Sequence, residues 1–88
     1  MISGYLRHIV MKTLSDGKLS GYDLIKQIEK GSSWKPSYGS IYPLLEKLLK
    51  EKLVQIEIQG RKKIYCLTED GKKYIHAMDM HKNSFVGK

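Results

Sequence analysis

The sequence predicts a mainly α-helical domain with one small β-hairpin, and three observations predict it. Apolar residues recur at helical spacing in four separate stretches. A fifth stretch, between the third and fourth of these, alternates with a period of two instead. Caps and breakers fall in the gaps between them. The expected order is helix, helix, loop, helix, two-stranded hairpin, helix.

In the first stretch, Ser3 to Leu14, the residues Tyr5, Leu6, Ile9, Val10 and Leu14 make the apolar stripe, and Arg7, His8 and Lys12 lie largely off it. Asp16-Gly17 is the expected stop, because glycine accepts the left-handed conformation that a helix C-terminus often needs. Ser20 is a good N-cap for helix two, with Asp23 three residues on as a short variant of the capping box. Leu24, Ile25 and Ile28 form its apolar face, and the helix is expected to run to about Lys30 and end at Gly31. Gly31 to Pro36 combines breakers with small polar residues and reads as a loop.

Ser37 is the expected cap of helix three, which carries a strong stripe of Ile41, Leu44, Leu45, Leu48 and Leu49. Pro43 disturbs it, since a proline at that depth removes one hydrogen bond and crowds the carbonyl of Gly39. Either the first turn is loosened or the regular helix starts near Pro43. Leu53 to Ile58 then alternates, with Val54, Ile56 and Ile58 on one side and Gln55 and Glu57 on the other, so it reads as a strand. Gln59-Gly60-Arg61-Lys62 is the turn, and Lys63 to Thr68 the returning strand, with Tyr65 and Leu67 on one face. Thr68 with Glu69 and Asp70 caps helix four, where acidic residues suit the positive helix end. Tyr74, Ile75, Met78 and, more loosely, Phe85 continue a stripe of near-heptad period.

The composition bounds the function. Eighty-eight residues allow one domain, and one this small buries only about 60 to 65% of the surface its unfolded chain exposes. Sixteen Lys and Arg against nine Asp and Glu give a net charge of +7, which suits a polyanionic partner or an acidic membrane face. No apolar run approaches the roughly 20 residues of a membrane span, and no signal-peptide core is present, so a soluble, cytoplasmic setting is expected. Cys66 is the single cysteine; it allows no internal disulfide and no four-cysteine zinc site, and reads as a small strand residue. His8, His76 and His81 lack zinc-like spacing. There is no nucleophile, base and acid set and no phosphate loop, so neither an enzyme nor a cofactor is expected.

Helix, helix, loop, helix, hairpin, helix is the order of a winged helix-turn-helix domain, whose third helix enters the DNA major groove while the hairpin tip lies on the backbone. At the start of helix three, Lys35, Ser37, Tyr38, Ser40 and Tyr42 gather an ammonium, hydroxyls and free backbone N–H groups, which phosphates and base edges require. Tyr42 is also large enough to pack against helix two. At the wing, Arg61, Lys62 and Lys63 are consecutive, so at least one should face a duplex, although Lys63 can equally point to water. Tyr22 and Lys26 are further candidates for phosphate contact, and Trp34 reads as a loop aromatic closing the edge of the core. The competing reading is a winged helix that binds RNA or protein.

The runs Leu19-Ser-Gly-Tyr-Asp-Leu-Ile, Trp34-Lys-Pro-Ser-Tyr-Gly-Ser-Ile-Tyr-Pro-Leu-Leu and Gly60-Arg-Lys-Lys-Ile-Tyr-Cys-Leu-Thr-Glu-Asp-Gly, with Gly4 to Leu14 before them, closely resemble the PadR family of transcription regulators. The middle run is the specific one. The resemblance implies a homodimeric repressor that binds a dyad-symmetric operator, with release by a small-molecule effector of unknown identity. It places Ser37, Tyr38, Ser40 and Tyr42 at the start of the recognition helix, and Gly60, Arg61 and Lys62 on the wing. The expected division is residues 1–68 as the DNA-binding domain and 69–88 as the dimerising helix, with Tyr5, Leu6, Ile9, Tyr74, Ile75, Met78 and Phe85 as the dimer interface. The departure lies at the C-terminus. The family carries a longer dimerising helix or helical domain, whereas about 20 residues follow Thr68 here, so either the chain is truncated or a short helix builds the dimer together with helix one.

Overall fold

The structure is a computed structural model that describes residues 2–31 and 37–86, with side chains described for 4–31 and 37–78. The elements follow the expected order: α1 (Ile2–Ser15), α2 (Gly21–Lys30), α3 (Tyr38–Lys50), a hairpin of β2 (Val54–Gln59) and β3 (Lys62–Leu67), and α4 (Glu69–Val86), with a short β1 (Leu19–Ser20) between α1 and α2. The mainly helical, winged helix-turn-helix architecture is therefore as the sequence predicts, with one addition. β1 pairs antiparallel with β3, Leu19 opposite Tyr65 and Ser20 opposite Ile64, so the sheet has three strands in the order β1-β3-β2. Two residues have no period to read, which is why the pattern of the sequence leaves β1 hidden.

The α1 stripe needs correcting. Leu6, Val10, Met11 and Leu14 are the buried residues, with Val10 and Met11 wholly enclosed, whereas Tyr5 is 63% exposed and Ile9 sits at the margin. Leu24, Ile25 and Ile28 of α2 and Ile41, Leu45 and Leu48 of α3 pack with them, and Val54, Tyr65, Leu67 and Ile75 close the core from the sheet and α4. β3 is the central strand, and Ile64, Tyr65, Cys66 and Leu67 are buried on both of its faces.

Ser20 and Ser37 cap as expected. The Ser20 hydroxyl accepts from the Asp23 amide at 3.1 Å and the Ser37 hydroxyl from the Ser40 amide at 3.2 Å. The helix does not wait for Pro43 but begins at Tyr38. Its first turn is tightened, the Ser37 carbonyl accepting from both the Ser40 and the Ile41 amides at 3.0 Å. Gly39 and Pro43 are both exposed, so water can reach the turn in which the proline removes a donor. At the end of α1 the Gly17 amide donates to the Leu14 carbonyl at 3.2 Å, and Gly17 does not adopt positive φ, so the left-handed stop expected there is absent.

Long-range ties fix α4. The Thr68 hydroxyl accepts from the Gly71 amide at 3.0 Å and donates to the Lys52 carbonyl at 2.7 Å, joining the α4 cap to the corner after α3. Arg7 donates to Glu51 at 2.6 Å and to the Tyr74 hydroxyl at 3.2 Å, bridging α1, the end of α3 and α4. Burial alone would lower the Arg7 pKa, but these two acceptors outweigh it and hold the guanidinium above its ordinary value.

Candidate nucleic-acid interface

The first turns of α3 divide cleanly into two sides. Ile41 points inward and is fully buried, while Ser37, Tyr38, Gly39, Ser40 and Tyr42 are exposed. Capping links the two serines, whose hydroxyls lie 3.2 Å apart. One turn separates Tyr38 from Tyr42, and their rings stack with centroids 5.8 Å apart and planes 13° from parallel. That stacking limits the rotamers of both phenols before any ligand arrives. Tyr42 also does what its size suggests. Its hydroxyl lies so close to Gly21 at the start of α2 that any β-carbon there would collide with it. Tyr42 is thus half structural, seated against α2 and still 38% exposed, whereas Tyr38 is 49% exposed.

The wing is built by a two-residue turn. The ladder runs out to Gln59 opposite Lys62, one pair further than the pattern of the sequence marks, which leaves Gly60 and Arg61 as the loop. Gly60 has φ 63° and Arg61 does not have positive φ, the arrangement of a type II′ turn, which places glycine first and suits the twist of a hairpin. Arg61, Lys62 and Lys63 are all exposed.

Pairing of β1 with β3 brings the two halves of the site together. Ser20, Gly21, Tyr22 and Asp23 from the start of α2, Tyr42 from α3, and Lys62, Lys63 and Tyr65 from the wing line one open depression of about 290 Å³. Tyr65 is a buried member of this lining at 6% exposure, and burial pushes its phenol above the ordinary range, with Tyr42 and Glu46 adding to the effect. Beside the depression, the Lys26 ammonium sits 5.4 Å from the centre of the exposed Tyr22 ring. Tyr65 and Ser20 were not legible as site residues, because one reads as a core strand position and the other as a helix cap. Lys35 and Trp34 fall outside the described residues.

The residues assigned to a dimer seam scatter. Leu6 and Ile75 lie in the chain's own core at 5% exposure each, Ile9 and Tyr74 pack at its margin, and Tyr5 and Met78 remain exposed at 63% and 42%. The Phe85 side chain falls outside the described set. Among the described residues no group of three or more His, Cys, Asp or Glu is placed to hold a metal ion, and no helix is long and apolar enough to cross a membrane.

Residues 10–77 match the model of the transcriptional regulator PadR-like family. The chain belongs to this family. Over 78 residues it is 37% identical to the negative transcriptional regulator PadR of Bacillus subtilis (strain 168), a match that covers 81% of this chain and 43% of that protein. The chain thus spans less than half the length of this curated relative. Among solved structures, Bacillus subtilis PadR in complex with operator DNA aligns with a TM-score of 0.70 at 34% identity, over 84% of this chain and 45% of that one. F93 from STIV, a winged-helix DNA-binding protein, aligns with a TM-score of 0.82 at 27% identity, over 98% and 94% of the two chains. This PadR-like chain accordingly shares both a family and a winged-helix fold with proteins that regulate transcription.

Proposed function

We propose that this PadR-like chain carries the duplex-DNA-binding function of a transcription repressor, with α3 in the major groove, the wing on the backbone, and two copies on a dyad-symmetric operator. The observation that carries the reading is that Tyr42 of α3 and Lys62 and Lys63 of the wing line one depression, while Tyr38 and Ser40 are exposed on the same first turns of α3 and Arg61 is exposed at the wing tip. Exposed groups able to read base edges thus belong to the same helix start whose Tyr42 meets, across the depression, groups able to neutralise phosphates. The complex of Bacillus subtilis PadR with operator DNA supports DNA as the partner. Tyr38 and Ser40 are the base-reading candidates and Arg61 and Lys62 the phosphate anchors. Ser37 positions Ser40 through the cap, and Tyr42 holds α3 against α2.

Selection of binding sites from random duplex DNA tests this reading. A recovered palindrome with half-sites about one helical turn apart is the expected result. Recovery of no sequence, or tighter binding to RNA of the same length, overturns it. Release by a small-molecule effector would then be sought with the recovered operator as the probe.

A further inference from the structure

We infer that Ile58, at the outer end of β2, packs on the deoxyribose faces of the DNA strand that the wing grips, and so supplies a salt-insensitive part of the wing's affinity. This inference rests on the reading above that the wing meets DNA.

The strand register places the residue. Val54 pairs with Leu67, Ile56 with Tyr65 and Ile58 with Lys63, and directly opposed residues share a face of the sheet. The first two pairs form the core face, so Ile58 and Lys63 lie on that same face, about 7 Å beyond Ile56. There the core has ended, and Ile58 is 67% exposed, the most exposed of the large apolar residues among those described. A lone apolar residue on a surface needs no special account, but this one is set among cations. Lys63 is its direct cross-strand partner, and Arg61 and Lys62 follow at the turn.

The face it occupies is also the one turned toward the interface. Lys63 and Tyr65, neighbours on that face, line the depression shared with Tyr42 of α3 and the start of α2. A polyanion drawn to Lys63 therefore arrives on the side where Ile58 projects. Duplex DNA offers matching chemistry at that scale, since apolar sugar faces alternate with phosphates along each strand. The opposite face of the strand is polar, with Glu57 paired to Lys18 at 3.1 Å.

Binding of a mixed-sequence duplex by the whole chain, measured over a series of salt concentrations, tests the inference. Ile58→Ser should weaken binding about fivefold at every salt concentration, with the slope of log K against log salt unchanged. Ile58→Val should keep nearly all of the affinity. Arg61→Ala with Lys62→Ala should instead flatten the slope. The exposure of Ile58 predicts an unchanged melting temperature in both of its variants, which separates a binding role from a structural one. If Ile58→Ser binds like the wild type while the Arg61 and Lys62 variant flattens the slope, the inference fails and the wing reading stands. If neither variant alters binding, both fail. A changed sedimentation coefficient with unchanged DNA affinity would assign Ile58 to packing against a second copy, which also overturns the inference.

Discussion

Lys52 turns the chain from α3 into β2 in the left-handed region, at φ 62°. Its amide donates to the Leu49 carbonyl and the next amide, of Leu53, to the Leu48 carbonyl, both at 3.0 Å, the pair of bonds that closes a Schellman motif. Glycine usually fills that position, because a β-carbon there crowds the backbone at a cost of about 1–2 kcal/mol. Lys52→Gly should raise stability by about 0.5–1 kcal/mol once the greater freedom of glycine in the unfolded chain is counted. Thermal melting should then rise by roughly 2–8 °C, and an unchanged or lower midpoint would show that the strain is relieved elsewhere. No residue-level signal in the sequence marks this corner, since the rule that finds such turns looks for glycine. The helix caps were legible for the opposite reason, because Ser20 and Ser37 are chemically suited to the positions they occupy. The same distinction governs Tyr38 and Ser40. Sequence places them at a helix start, but only the structure shows both exposed beside a buried Ile41. Tyr38→Ala should cost operator binding about 1–3 kcal/mol and binding to random duplex much less. Equal losses on the two duplexes would make Tyr38 a phosphate or packing residue.

At the scale of elements, the helices and the hairpin were readable because each carries several turns or pairs of its own period. What joins them was not. β1 is two residues long, and its value lies in fastening the wing to the start of α2, so that Lys62 and Lys63 face Tyr42 across one depression. Arg7 likewise reads as a solvent-facing helix residue until Glu51 and Tyr74, 44 and 67 positions away, are seen to meet it. Interactions between residues so distant in sequence leave no trace in local periodicity. The wing itself yields a direct prediction. Arg61→Ala with Lys62→Ala should weaken binding to many sequences alike, and should reduce the slope of log K against log salt by about 0.9 for each phosphate that is no longer neutralised. Titrations from low to moderate salt measure it, and a slope equal to that of the wild type would remove the wing from the binding surface.

At the scale of the whole molecule, the proposed function poses the question of how one small domain would find a specific site. A single copy meets one half-site with few base-reading groups, whereas two joined copies raise the effective concentration of the second and gain orders of magnitude in apparent affinity. Dimerisation is therefore part of the proposed mechanism, and the structure redistributes the residues available for it. Ile75, although it falls on the near-heptad stripe of α4, is buried at 5% exposure beneath its own chain. A charge placed there would unfold the domain and reveal nothing about assembly. Among the described residues, Tyr5 and Met78 are the exposed large apolar side chains of α1 and α4, the two helices expected to build the interface, and neither belongs to the buried core. Tyr5→Glu with Met78→Glu should give a monomer that keeps its helical circular dichroism, loses operator binding and retains weak, salt-sensitive binding to random duplex. Sedimentation of the variant beside the wild type decides it. A variant that stays dimeric places the interface elsewhere, and a wild-type chain that is monomeric at high micromolar concentration removes the dimer from the mechanism of this chain.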